Sequence, residues 1–500
     1  MTRLTRNVIY NTAGQAAILV LSLIAVRFVF RRLGEDAFGI IIFNLVLTTV
    51  LSSALELGIS ATIVREVSSH FSSDRSYINR LLRTGSLLYW SFGALLLVVI
   101  WLTAPLLVTH WVNLHTMDAD TAATMLRILS ITSLVTLPKV LYTSLFRGRQ
   151  LMELNNAIDV GTAIAQQAGI LALTIGGSGV YAVAGWISLS AAIGILAYVL
   201  VASRVAGWPA LVPGFSKDVV RRNVSFTGNM MVVSLLSLAQ SQTPQVIVSK
   251  LLPILQFGYY GFIASTVSRA TLAANAVAQA AFPSFSSLHV VGDRPGLLRQ
   301  YVKLQDLVCY GTLPLFAGIC FAAQPVYAYV FDAAAAQELL LPTALLALGT
   351  WMNATLSIPY MLSIAVGRTR IPMATSVLGA LVILPITIVL VYRFGLVGAG
   401  LSWVCYHVLA YAYMVPRVSR ECLEQSPLAW FAHVGKVVVG AAVTYGVVWI
   451  IATRWPATWS VMVVSYAVGS ALFLAACALL IGPDLKFTIR RLALRSARTT

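Results

Sequence analysis

The chain has 500 residues, 59% of them hydrophobic and 10% charged, with a mean hydropathy of +0.84. A soluble protein carries about a quarter charged residues, and no polar stretch here is long enough for a soluble domain, so the composition excludes soluble enzymes and soluble binding modules. The net charge of +17 sits in short loops, where membrane topology accounts for it without a nucleic-acid partner.

Apolar runs of about 20 residues recur from end to end, the length of a membrane-crossing helix. They are too uniform for barrel strands, which alternate. The pattern predicts about fourteen helical spans, at 8–30, 38–62, 85–109, 122–146, 155–176, 179–202, 223–249, 257–283, 305–330, 338–364, 371–392, 395–416, 429–452 and 459–481. The first follows Arg3 and Arg6, as a signal peptide would. It runs too long, lacks a small-residue cleavage site and is matched by an internal segment, so it is read as a helix.

The second half repeats the first. Arg6-Asn7-Val8 recurs as Arg222-Asn223-Val224, and Gly179-Val180 as Gly395-Leu396, both 216 residues on. Leu137-Pro138 is echoed by Ile358-Pro359, and Gly148-Arg149 by Gly367-Arg368, at offsets of 221 and 219. Equivalent helices are separated by six spans, so the halves are parallel repeats with a substrate site expected between them, as in secondary transporters. The expected organisation is a six-helix lobe over 1–204, a linker over 205–222, a second six-helix lobe over 223–420, an extra helix pair over 421–482 and a basic tail over 483–500.

Connections alternate in charge. Arg65, Arg75, Arg80 and Arg83 follow the second span, Arg147 and Arg149 the fourth, and Arg204, Lys217, Arg221 and Arg222 the sixth. The same side collects Arg294, Arg299, Lys303, Arg368, Arg370, Arg417, Arg420, Lys436 and both termini, while Asp118, Asp120, Asp332 and Glu338 mark the other. The positive-inside rule places both termini in the cytoplasm.

Four cations remain inside predicted spans: Arg27, Arg127, Lys139 and Arg269. A charge at membrane depth costs several kcal/mol unless it faces a cavity or a partner. Arg269 is about 12 residues into its span, or about 18 Å at 1.5 Å per residue, near the midplane. It is expected to face a substrate cavity, and Arg27 to face one or to anchor at the interface with Arg31 and Arg32. Lys139 lies at a depth similar to Glu56 and Asp159, so a network among these three is expected, with ion pairing ahead of direct ligand contact. Arg127 is expected at the interface.

The seventh span carries Gln240-Ser241-Gln242-Thr243-Pro244-Gln245, and Thr243 corresponds through the repeat to Arg27. Proline frees carbonyls that polar groups must meet, so Gln240, Gln242, Thr243 and Gln245 are expected to line a cavity, joined by Asn11 and Gln15 of the first span. Gln166-Gln167 adds to this set. The five cysteines show no CxxC and no histidine partner at metal spacing, so they read as reduced packing residues and no cofactor or metal is expected. Both N-x-[ST] matches, at Asn223 and Asn353, lie where glycosylation is not expected.

Several segments carry a resemblance: Arg32-Leu33-Gly34-Glu35-Asp36-Ala37-Phe38-Gly39, Leu57-Gly58-Ile59 through Arg65-Glu66, Ala280-Ala281-Phe282-Pro283-Ser284-Phe285, and the Gly-rich run 395–400. The chain resembles the multidrug/oligosaccharidyl-lipid/polysaccharide exporter superfamily, in particular Wzx-type flippases of bacterial surface polysaccharides. That likeness implies an all-α integral membrane protein whose two six-helix lobes form a V, sited in the bacterial inner membrane. It also implies a cationic cavity that receives the diphosphate of a lipid-linked oligosaccharide, a role that fits Arg27 and Arg269, with Lys139 as a further candidate. Fourteen spans rather than twelve resemble the lipid II flippase branch, in which the extra pair extends a groove for the lipid tail.

No GxxxxGK[ST] motif is present, so the energy source is expected to be a membrane potential or a gradient of H⁺ or Na⁺, with Glu56, Asp159 and Asp306 as coupling carboxylates. The function expected is flipping of an undecaprenyl-diphosphate-linked oligosaccharide for exopolysaccharide or O-antigen, with membrane lipids and the polysaccharide polymerase and export machinery as partners. A peptidoglycan lipid II flippase and a multidrug cation antiporter are the alternatives. A membrane polymerase or ligase is disfavoured by the shortness of the longest external loop, about 110–121.

Overall fold

The computed structural model describes residues 3–56 and 58–480. The expected tail over 483–500 lies outside the described residues, as do the side chains of Asn11, Gln15 and Gln240. Among the described residues the protein is helical, with one isolated bridge, Asn113 to Pro253, and no strand. Among the described residues, nine helices are long and apolar enough to cross a membrane. The protein is a multi-pass, all-helical membrane protein.

By packing, the chain forms two compact units, Met1–Gly261 and Phe262–Thr500. The first contains α1 (Arg3–Leu33), α2 (Glu35–Glu56), α3 (Ile59–His70), α4 (Arg75–His110), α5 (Ala119–Leu129), α6 (Ile131–Gly148), α7 (Met152–Ile175), α8 (Val180–Ala206), the short α9 (Trp208–Leu211) and α10 (Lys217–Leu251). It also takes the start of α11 (Ile254–Arg269). The second unit contains the rest of α11, α12 (Thr271–Val291), α13 (Arg294–Val330), the short α14 (Ala333–Glu338), α15 (Leu340–Ala365), α16 (Arg370–Cys422), α17 (Pro427–Ala441), a π-helical turn (Ala442–Gly446), α18 (Val447–Ala452) and α19 (Trp459–Leu480).

Every predicted span falls on helix, but the boundaries differ in three ways. The second, fourth and eighth spans are each broken in two, between α2 and α3, α5 and α6, and α11 and α12. Gly58 makes the first break with φ 72°, a left-handed conformation that costs glycine little. The eleventh and twelfth spans run together in α16, interrupted only at Gly395 (φ 55°, ψ −131°). Pro244, expected to disturb the seventh span, lies inside an unbroken α10, where the Thr243 hydroxyl donates to the Ala239 carbonyl.

Little hydrophobic force acts between helices in lipid, so close packing and small residues hold them together. A Cβ at Gly39 of α2 would stand 2.6 Å from the Ile254 carbonyl oxygen of α11. The core of the first unit gathers Ile63, Tyr77, Leu82, Tyr89, Leu141, Tyr142, Phe146 and Tyr198, from α3, α4, α6 and α8. Asp36, at the start of α2, is buried and accepts from the backbone N–H groups of His115, Thr116 and Met117 at 2.6–2.9 Å. It thereby fixes the loop between α4 and α5.

Candidate functional site

Lys139 lies one residue after Pro138 on α6, and Asp159 lies on α7. The Lys139 ammonium is 2.7 Å from Asp159 Oδ1. The Tyr198 hydroxyl of α8 donates to the same oxygen at 2.9 Å, and its ring lies 5.6 Å below the ammonium. The pair lines a cleft of about 450 Å³ with Ile18, Thr132, Thr136, Gln166 and Tyr198. Both side chains are 45% exposed, so each keeps bonding capacity for a third group.

Of the three groups expected to share an inner network, the structure joins Lys139 and Asp159. Glu56 stands apart. It ends α2 and accepts a hydrogen bond from the Ser60 hydroxyl, four residues on across the break to α3. That local partner explains why Glu56 turns along its own chain.

Arg269 occupies the last turn of α11, at the break before α12, and is exposed. A guanidinium there complements the partial negative charge of the helix C-terminus. Arg27 is half-buried on α1 and engaged within the chain. Gln242, Thr243 and Gln245 are half-buried on α10, and Gln242 Oε1 has no hydrogen-bond partner among the described residues. Arg127 donates to the Trp101 carbonyl at 3.3 Å and lies over the Trp101 ring.

In the second unit Asp306 of α13 is buried, with Oδ1 3.0 Å from His433 Nε2 of α17, a close contact that is not aligned as a hydrogen bond. Both line a cleft of about 480 Å³ with Gln305, Ser419, Trp430 and Lys436. Sequence reasoning did not find His433 or Tyr198, because each reaches its partner only through tertiary packing.

A third cluster, also missed, ties α3, α4 and α10. Glu66 of α3 is buried and takes bonds from Arg65 at 2.6 Å and the Tyr77 hydroxyl at 3.0 Å. His70 and Arg222 stand 3.4 and 3.7 Å from Oε2, the oxygen that Tyr77 bonds. Asn223 donates to the Tyr77 hydroxyl and accepts from Arg65. Arg65-Glu66 and Arg222-Asn223 were both visible as sequence motifs, but nothing local shows that they meet.

A search of curated proteins gives no match. Among solved structures, a lipid II flippase MurJ in an inward closed conformation has a TM-score of 0.72 at 12% identity, covering 94% of this chain and 98% of its own. An inward-facing multidrug resistance MATE family transporter of the MOP superfamily gives 0.65 at 11% identity, covering 80% and 94%. A MOP superfamily transporter from Pyrococcus furiosus, described as having a binding pocket of reverse polarity, gives 0.54 at 13% identity, covering 84% and 96%. At these identities the likeness establishes the fold. The sequence profile of the family described as "Polysaccharide biosynthesis protein" matches residues 4–289, and this chain belongs to that family.

Proposed function

We propose that the protein is a flippase that carries an undecaprenyl-diphosphate-linked oligosaccharide from the inner to the outer leaflet of the bacterial inner membrane, with both termini cytoplasmic, for exopolysaccharide or O-antigen. In this reading Arg269, Arg27 and Lys139 meet the diphosphate by charge-assisted hydrogen bonds, while Gln240, Gln242, Thr243, Gln245, Asn11 and Gln15 line the path. Asp159, Glu56 and Asp306 are the carboxylates through which H⁺ or Na⁺ would couple. The observation that carries the reading is the half-exposed Lys139 ammonium in its cleft of about 450 Å³, beside Asp159 and Gln166. The ammonium is paired with Asp159 at 2.7 Å, and in this reading the diphosphate displaces that carboxylate to reach it.

The membrane potential supports the direction. Each negative charge moved outward across an inside-negative membrane gains about 2.3 kcal/mol per 100 mV. A diphosphate is therefore driven outward without a nucleotide.

One observation favours a second reading. The likeness to the lipid II flippase extends over 94% of this chain, against 80% for the multidrug transporter. Peptidoglycan lipid II would present the same diphosphate to the same cations.

The test is native mass spectrometry of the purified protein with polyprenyl diphosphate, lipid II and a lipophilic cation, for wild type and Arg269→Ala. Diphosphate retention that drops about tenfold in the variant, the loss of one charge-assisted pair, supports the reading. Retention of the cation without the diphosphate overturns it in favour of a drug antiporter, and lipid II retained well above polyprenyl diphosphate selects the second reading.

A further inference from the structure

Between α3, α4 and α10 the first unit holds another cleft, of about 410 Å³. Ile63, Leu88, Phe92, Val224 and Met231 are among its lining residues, with Thr62 and Thr227 hydrogen-bonded to each other, and no charged side chain lines it. Along α10 it extends from Val219 to Met231, or about 18 Å at 1.5 Å per residue. One leaflet of bilayer hydrocarbon is about 15 Å deep, so the cleft matches one extended acyl chain and is far shorter than a polyprenyl chain.

Charge gathers at one end. Asn223 lines the cleft there and accepts from Arg65 Nη2 at 3.1 Å, with Arg222 its neighbour in sequence. Both guanidiniums approach the single carboxylate of Glu66, at 2.6 and 3.7 Å. Two cations sharing one anion leave the mouth positive. Their side chains are 41% and 49% exposed, whereas that of Glu66 is 6% exposed. The cations face outward and the anion inward. Phe92 and Met231 line the cleft further along α4 and α10.

We propose that this cleft binds an anionic phospholipid, its phosphate on Arg65 and Arg222 and one acyl chain between α3, α4 and α10. The charge at the mouth selects an anionic head, and the apolar wall selects a hydrocarbon tail. A lipid seated there bridges α10 to α3 and α4, and so holds in place the helix that carries Gln242, Thr243 and Gln245. The site is independent of which glycolipid the protein carries.

The experiment uses the purified full-length protein and native mass spectrometry. The probes are phosphatidylglycerol, phosphatidylcholine with the same acyl chains, glycerol 3-phosphate and polyprenyl diphosphate. The variants are Arg65→Gln with Arg222→Gln, and Gly228→Phe. A Cβ at Gly228 meets nothing within 4 Å, so the substitution is not blocked at its first atom, adds bulk to a residue that lines the cleft and removes no charge. The expected result is selective retention of phosphatidylglycerol, reduced about tenfold by either variant, the effect of losing one charge-assisted contact or the seated chain. If the arginine double variant fails to fold, because Glu66 has lost its partners, Gly228→Phe decides alone. Unchanged phosphatidylglycerol retention in Gly228→Phe overturns the proposal. So does equal retention of phosphatidylcholine, retention of glycerol 3-phosphate, which makes this a plain phosphate site, or polyprenyl diphosphate binding that Gly228→Phe abolishes, which assigns the cleft to the glycolipid.

Discussion

Glu66 shows how hydrogen bonds and neighbouring charges hold a carboxyl ionised against the cost of burial. Burial pushes its carboxyl up, but the hydrogen bonds from Arg65 and Tyr77, with the charges of Arg65 and His70, outweigh that and hold it below its ordinary value of 4.5. A carboxyl depressed in the folded state contributes stability that is fully present above its unfolded value and is lost as pH falls through the folded one. Thermal unfolding of the purified protein should therefore begin to weaken as pH drops below about 4.5. Glu66→Gln should flatten that part of the profile and cost about 2 kcal/mol at neutral pH, the value of hydrogen bonds to a charged, buried acceptor. An unchanged acid limb in the variant would mean that Glu66 is not the responsible group. The Lys139–Asp159 pair is different, because both side chains are 45% exposed and screening leaves such pairs worth little to stability. Asp159→Asn should thus leave the melting temperature nearly unchanged while altering export, and a large stability loss would recast the pair as structural.

At the scale of helices, contact distance decides more than hydrophobicity. Gly39 sits where α2 meets α11, with the Ile254 carbonyl 2.6 Å from where its Cβ would be. Gly161 on α7 has open space around the same point. Gly39→Ala should destabilise by about 1–3 kcal/mol through overpacking, while Gly161→Ala should be neutral or stabilise by up to about 1 kcal/mol through helix propensity. Thermal melts of the two variants make a direct comparison, and equal shifts would sink the close-approach argument. The helical class and the positions of the apolar segments were legible in the sequence because an apolar run of membrane length admits few other structures. The breaks were not. Ala270 interrupts α11 and α12 with ordinary right-handed dihedrals (φ −66°, ψ −22°), and the hydrophobic pattern continues across it unmarked. Gly395 leaves a residue-level sign, since its φ of 55° favours glycine. The same limit explains the site: the nearness of Lys139 and Asp159 could be read from their depths, but the turning of Glu56 to Ser60 could not, nor the arrival of His433 beside Asp306.

At the scale of the molecule, the two C-terminal spans lie outside the sequence repeat, yet the second unit does not treat them as an addition. Beside Asp306, Tyr310 of α13 meets the His433 ring at 5.7 Å and the Phe473 ring at 6.3 Å. Further along α13, Phe321 packs edge-on to Trp449 at 5.0 Å, and the Tyr466 hydroxyl donates to the Pro314 carbonyl at 3.2 Å. Together α17 and α19 cover one face of α13 along much of its length, and the covered face includes a carboxylate only 2% exposed. Exposing that carboxylate to lipid would cost several kcal/mol unless it were protonated. Ending the chain at residue 426 should therefore lower the yield and melting temperature of the whole protein, not merely remove a peripheral groove. His433→Ala, which removes the ring 3.0 Å from Asp306 and 5.7 Å from the Tyr310 ring and keeps the helices, should cost about 1–3 kcal/mol through lost packing and lost charge contact, and Asp306→Asn in the same background should recover part of that loss. A truncated protein that melts like the full chain would show that the extra pair is energetically separate, and the aromatic contacts along α13 would then be packing without consequence.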